Sequence, residues 1–249
     1  MATRTEILQW CDETLQTKTF KDYAPNGLQV EGADGISTIM TSVTASQAAI
    51  EAAIKQGAQM LLVHHGMFWK SEPIEIIGWK KRRIAALIKN DINMVGYHLP
   101  LDAHETLGNN AQLAQKCGWQ TDYRCGEQNL LNIGHLPQTQ TLADFVANME
   151  QVLQRKATVV GNLQQNVQKV AWCTGGAQGF FQQAIDEGVD VFVTGEISEA
   201  QFHLANETGV AFVSAGHHAT EKFGVRALGE ALVMQFGVKI YHFDEQNPA

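Results

Sequence analysis

Two adjacent imidazoles, His64 and His65, close an unbroken apolar run at residues 60–63. Further on, His98 stands four residues before Asp102, and His217 four residues before Glu221. Glu196 follows Thr194-Gly195. On a helix, a separation of four puts two side chains on one face. His64, His65, Asp102, His217 and Glu221 offer three imidazoles and two carboxylates. That is more than one tetrahedral ion with an open position takes. The set suits two divalent ions roughly 3.5–4 Å apart, bridged by a carboxylate and a water. Nitrogen and oxygen donors without thiolate are compatible with Zn, Mn, Fe or Ni. Two such ions would acidify a shared water and hold an electrophile against it, so hydrolysis is the natural reaction class. Glu196 and His98 are then candidates for proton transfer, and equally for orienting the ligands. His218 neighbours this set, but the spacing to Glu221 that repeats His98 to Asp102 belongs to His217.

Such donors have to be delivered by strand ends. The run at 60–63 reads as a buried strand, since strands of parallel sheets are continuously apolar. Open α/β sheets hold ligands at the carboxyl ends of their strands. Four more runs have this character. Residues 95–97 lead to His98 and Asp102, and 212–214 to His217, His218 and Glu221. Residues 191–193 lead to Glu196, and 170–172 to Thr174-Gly175-Gly176. The loop at 174–179 could hold a phosphate on its backbone N–H groups, or be a tight turn needed for packing. Helices are expected at 3–16 (capping box Thr3 and Glu6), from Ser46 to a stop at Gly57, and at 84–89, 109–117 and from Thr141. Others run through Phe180 and Ile185, from Ser198 and from Thr220. Lys80-Lys81-Arg82-Arg83 reads as the solvated start of the helix at 84–89. The stretch at 22–30, with Pro25 and Asn26-Gly27, is a turn of the kind that can line a site. Alternation of strands and helices predicts an α/β fold.

The chain also repeats itself. Gly57 precedes His65 by eight residues, as Gly188 precedes Glu196, and each follows a threonine (Thr44, Thr174) and a helix. His98-x3-Asp102-x15-Gly118 matches His217-x3-Glu221-x15-Gly237. These spacings predict an internal duplication whose halves face one cleft across a pseudo-dyad. The expected division is a first α/β half at 1–118, a small inserted α+β lobe at 119–169, rich in Gln and Asn, and a second half at 170–249.

Composition sets the outer bounds. With 249 residues, 45% hydrophobic and 18% charged, the chain suits one large or two modest domains. A net charge of −8 argues against nucleic acid or anionic membranes as partners. Four cysteines without a CxxC pair, and no signal-like or membrane-length apolar run, predict a cytoplasmic protein with reduced thiols.

The chain resembles the GTP cyclohydrolase I type 2 homologues, the YbgI-like dinuclear-metal proteins. The resemblance rests on Tyr23-Ala24-Pro25-Asn26-Gly27-Leu28-Gln29-Val30, Val63-His64-His65-Gly66, His98-Leu99-Pro100-Leu101-Asp102, Thr194-Gly195-Glu196 and Gly216-His217-His218-Ala219-Thr220-Glu221. It implies a duplicated α/β fold with an inserted lobe. It also implies a two-metal site built from His64, His65, Asp102, His217 and Glu221, and a ring-shaped homohexamer. The family's name implies attack on the imidazole ring of GTP, and members have been described as interaction partners of other proteins. The expected function is a metal-dependent hydrolase of a nucleotide, a related heterocycle or a phosphate ester. The alternatives are a metal-containing interaction or scaffold protein and a metal chaperone or store.

Overall fold

In a computed structural model, which describes residues 2–249, the run at 60–63 is the strand Met60–His65, buried through His64. It is the centre of a five-stranded sheet in the order Lys239–His242, Thr38–Thr44, Met60–His65, Asn93–Gly96, Gly27–Val30. The first four are parallel, and Gly27–Val30 adds an antiparallel edge. Continuous apolarity in Met60–His65 is explained by its two covered faces. Met60 and Leu62 pack with Ile7, Cys11 and Leu15 of helix Arg4–Leu15 and with Val225, Leu228 and Leu232. Leu61 and Val63 turn the other way, toward Ala49, Ile50 and Ala53 of helix Gln47–Lys55 and Ile84 and Leu87 of helix Gly78–Lys89. Alternate residues point to opposite faces of a strand, so both sets must be apolar. This unit takes residues through Gly108 together with Gly224–Glu245.

A second unit comprises Asn109–Phe223 with Gln246–Ala249. Its six-stranded sheet has the order Gln120–Cys125, Leu131–Thr141, Asn166–Trp172, Val191–Thr194, Ala211–Ser214, Thr158–Val160. Asn166–Trp172, Val191–Thr194 and Ala211–Ser214 are parallel, with antiparallel neighbours on both sides. One face packs helices Asn109–Cys117 and Leu142–Leu153 over Val170, Trp172, Val191 and Val213, with Trp119 stacked on Phe145 at 5.3 Å. The other buries Phe181, Phe192 and Phe212 against one another.

The fold is α/β, but its division differs from the expected one. Residues 119–169 are no separate lobe: they supply strands to the same sheet as Asn166–Trp172, and Phe145 and Met149 enter the same core. Their polar composition belongs to an exposed edge strand, Gln120–Cys125, and to the outer face of helix Leu142–Leu153. The first unit ends at Gly108 rather than residue 118, and residues 224–245 return to it. Two local readings are also corrected. Helix His217–Phe236 begins three residues before Thr220, so His217 and Glu221 share its opening turns. Lys80 is not solvated; it is buried, and its ammonium donates to the Pro73 carbonyl at 2.8 Å. No helix among the described residues is long and apolar enough to cross a membrane.

Candidate metal centre

In the first unit, His64, His65 and His98 each bring a ring nitrogen within 4.8 Å of the others. Strand Met60–His65 delivers the first two, and the turn after Asn93–Gly96 delivers His98. Each ring is held from behind through Nδ1. His64 Nδ1 lies 2.9 Å from the Tyr97 carbonyl. His65 Nδ1 lies 3.3 Å from the Thr44 hydroxyl, across the register that pairs Thr44 with His65. His98 Nδ1 lies 2.9 Å from Asp22 Oδ1. Asp102, one turn beyond His98, is buried and places Oδ1 3.5 Å from His64 Nε2.

The His64 geometry tests whether a metal fits. A carbonyl only accepts, so Nδ1 carries a proton, and Nε2 faces the Asp102 carboxylate. A buried carboxylate beside an imidazole nitrogen calls for positive charge between them, which a proton or a metal ion supplies. This is the disposition of a metal-ligating histidine, whose other nitrogen donates to a carbonyl or carboxylate.

Asp22 organises the loop around these rings. It accepts from the Ala24 and Leu99 N–H groups and from the Asn26 amide, while Asn26 Oδ1 accepts the His98 N–H at 2.8 Å. Burial alone would raise the Asp22 carboxyl, but the His98 ring and these donors outweigh it and hold it well below the usual carboxylate range. Beneath the rings, the Gln29 amide fills the space over Gly66 and Gly96. A Cβ at Gly66 would lie 2.3 Å from it, and one at Gly96 2.8 Å. Gln29 also accepts the Met67 N–H and donates to the Pro25 carbonyl. Sequence reasoning singled out the 22–30 stretch but not the roles of Asp22 and Gln29, because nothing local shows that a turn residue meets a histidine 76 positions on.

In the second unit, Glu196, His217 and Glu221 come together. His217 Nδ1 lies 2.7 Å from Glu196 Oε1, and Nε2 lies 3.2 Å from Glu221 Oε2. Burial alone would lower His217; the two carboxylates outweigh it and push the ring up to about 9. Without metal the ring is therefore a cation bridging both. With Nδ1–H held on Glu196, Nε2 and the Glu221 carboxylate are the atoms that could serve a metal ion as donors. Glycines make room for this. A Cβ on Gly175, where φ is +72°, would lie 2.0 Å from Glu221 Oε1 and 3.2 Å from His217 Nε2. The loop at 174–179 is the tight turn rather than an open anion cradle, since the N–H groups of Gly175 and Ala177 are taken by Thr220 and Thr194. His218 is buried, and its backbone N–H meets the Ala249 carbonyl.

Of the predicted site residues, His64, His65, His98 and Asp102 thus stand together in the first unit, and Glu196, His217 and Glu221 in the second. Known proteins carry the same chain length and fold. A GTP cyclohydrolase 1 type 2 homolog of Neisseria meningitidis serogroup A is 65% identical over 249 residues, all of both chains. One from Pseudomonas aeruginosa is 43% identical, over 98% of this chain and 97% of that one. Among solved structures, the protein ybgI, described as of unknown function, superposes with a TM-score of 0.95 at 45% identity, covering 99% of this chain and all of that one. A Thermus thermophilus protein gives 0.90 at 33%, with the same coverage. The family model for Duf34/NIF3 (NGG1p interacting factor 3) matches residues 2–248, and the chain belongs to that family.

Proposed function

We propose that the protein is a dinuclear-metal-dependent hydrolase of a nucleotide, related heterocycle or phosphate ester. His64, His65, Asp102, His217 and Glu221 would hold two divalent ions. One observation carries the reading: ring nitrogens of His64, His65 and His98 gather within 4.8 Å of one another, and each ring is oriented through Nδ1, by Tyr97, Thr44 and Asp22. Converging imidazoles whose Nδ1 is already held keep Nε2 for a ligand or proton-transfer role. The ions would supply Lewis acidity and an acidified water.

The chain's own residues supply the rest. Asp22 holds the His98 ring so that Nε2 can take and return a proton beside His64 and His65. Glu196 orients His217, and with 45% of its side chain exposed it can exchange protons with solvent. Each unit sets three consecutive strands side by side in parallel, the second and third of which lead into the histidines and carboxylates, and this shared order supports the duplication read from the spacings. A hexameric ring is part of the same proposal, resting on the family resemblance.

The test is metal content of protein purified without added metal, beside Glu221→Gln. The expected result is about two divalent ions per chain, fewer in the variant, followed by hydrolysis in a nucleotide screen. Equal metal in both proteins, or turnover by metal-free protein, would overturn the site. A scaffold or storage role predicts instead that metal changes stability or exchanges freely while no substrate turns over.

A further inference from the structure

Two aromatic side chains stand beside the imidazole cluster and are used by none of the ligand contacts. Tyr23 meets His98 edge-on, with centroids 4.9 Å apart and planes at 73°. Trp69 meets the same ring from another direction, at 5.1 Å and 86°, and lies 5.8 Å from His65. Tyr23 and Trp69 are 5.8 Å from each other, inclined at 35°. Packing does not require Tyr23 to be where it is, since it is 53% exposed. An exposed tyrosine beside a half-buried tryptophan at the rim of a polar cluster is the kind of amphipathic surface that proteins use for recognition.

The display is rigid. The Lys70 N–H donates to the Tyr23 carbonyl at 3.0 Å, and the Lys70 ammonium donates to the Asp22 carbonyl at 2.7 Å. The Met67 N–H is held by Gln29, whose amide also donates to Pro25. Both loops are therefore tied to each other and to the sheet edge that carries Gln29. Rings fixed in advance lose little freedom when a ligand stacks on them.

We propose that Tyr23 and Trp69 form the binding wall for a planar heteroaromatic ring, so that a substrate is recognised by stacking and presented edge-first to His65 and His98. This rests on reading the imidazole cluster as a reaction centre. It narrows the substrate class to molecules carrying a flat ring, such as a nucleobase, and away from simple phosphate esters. Any base has a π-face, so the wall selects for a ring rather than for one base.

The experiment is calorimetric titration of the full-length protein loaded with Zn(II), using guanosine and adenosine as ring-bearing probes and ribose 5-phosphate as the ringless control. Both nucleosides should bind the unaltered protein. Affinity should fall tenfold or more in Tyr23→Ala/Trp69→Ala and stay within about threefold in Trp69→Phe, which keeps a π-face. Ribose 5-phosphate should not respond to either change. Unchanged metal content would show that the double variant keeps its fold. Nucleoside affinity unaffected by the double variant, or no nucleoside binding to the unaltered protein, would overturn the proposal. Repeating the titration on Glu221→Gln separates it from the hydrolase reading. Stacking that persists there, together with no turnover by the unaltered protein, would retain the wall and remove the hydrolase.

Discussion

The two units solve the same positional problem with opposite electrostatics. Each ends parallel strands in chemically active residues, and each anchors a histidine four residues before a carboxylate. The first gathers three imidazoles and one carboxylate in a buried setting, with anchors that are a carbonyl, a hydroxyl and Asp22. The second places one imidazole between two carboxylates, one of them half exposed. Its anchor comes from the neighbouring strand end, whereas Asp22 reaches His98 from a loop before the sheet. The scaffold thus fixes where donors stand, while each unit sets its own charge. An imidazole-rich set and a carboxylate-rich set have different tolerances, and substitutions should show it.

The largest effect is expected where a donor has no room to retreat. Gly175→Ala would set a methyl group 2.0 Å from the Glu221 carboxylate on a backbone with φ of +72°. Both the steric clash and the strained conformation oppose it. Metal content should fall as far as in Glu221→Gln, although no ligand has been removed. The His64, His65 and His98 contacts should survive. Elemental analysis reads the first result, and histidine ring signals in NMR the second. A Gly175→Ala protein with full metal content would show that the Glu221 position is soft.

In the first unit the corresponding weak point is Asp22, and its effect should be on stability. Asp22→Asn replaces the carboxylate that accepts from the His98 ring, and losing a hydrogen bond to a charged group in a buried setting costs about 2 kcal/mol at neutral pH. The pH dependence follows from the sign of the shift. A carboxyl held low in the folded state stabilises fully above its unfolded value near ~4, and that contribution is lost as pH falls toward the folded value. The unaltered protein should therefore lose stability more steeply below about pH 4 than Asp22→Asn does, and the two curves should converge in acid. Parallel urea titrations across pH measure this directly. Curves offset by a constant amount at every pH would show that Asp22 acts through its hydrogen bonds alone.

These two positions also mark how far the sequence could be read. Continuous apolar runs ending in His, Glu or Gly revealed the parallel strands, because strands covered on both faces leave no alternation to misread. Capping residues located helices Arg4–Leu15, Leu142–Leu153 and Glu199–Thr208 to within a residue at their starts. Residues 119–169 read as a separate lobe because an exposed edge strand and a half-exposed helix look polar in one dimension even when both complete a core. Thr220 suits a helix start by its type, yet it lies inside the helix that begins at His217, its hydroxyl donating back to the Gly216 carbonyl. Asp22 and Gln29 act through partners 76 and 38 positions away, and Gly175 through a carboxylate on a distant helix. Spacing patterns carry no trace of such contacts.

The finest comparison is between the anchors themselves. Thr44→Val removes the hydroxyl 3.3 Å from His65 Nδ1, and Glu196→Gln replaces the carboxylate 2.7 Å from His217 Nδ1 with an amide of the same shape. Anchors of this kind are worth about 10- to 100-fold in metal affinity. The charged, shorter contact should lie toward the upper end and the neutral, longer one toward the lower end, because charge-assisted hydrogen bonds are roughly twice as strong. Competition with a chelator of known affinity ranks the two. If Thr44→Val proved the more damaging, the orientation of His65 would depend on the hydroxyl more than distance suggests, and the difference between the units would lie in burial rather than charge.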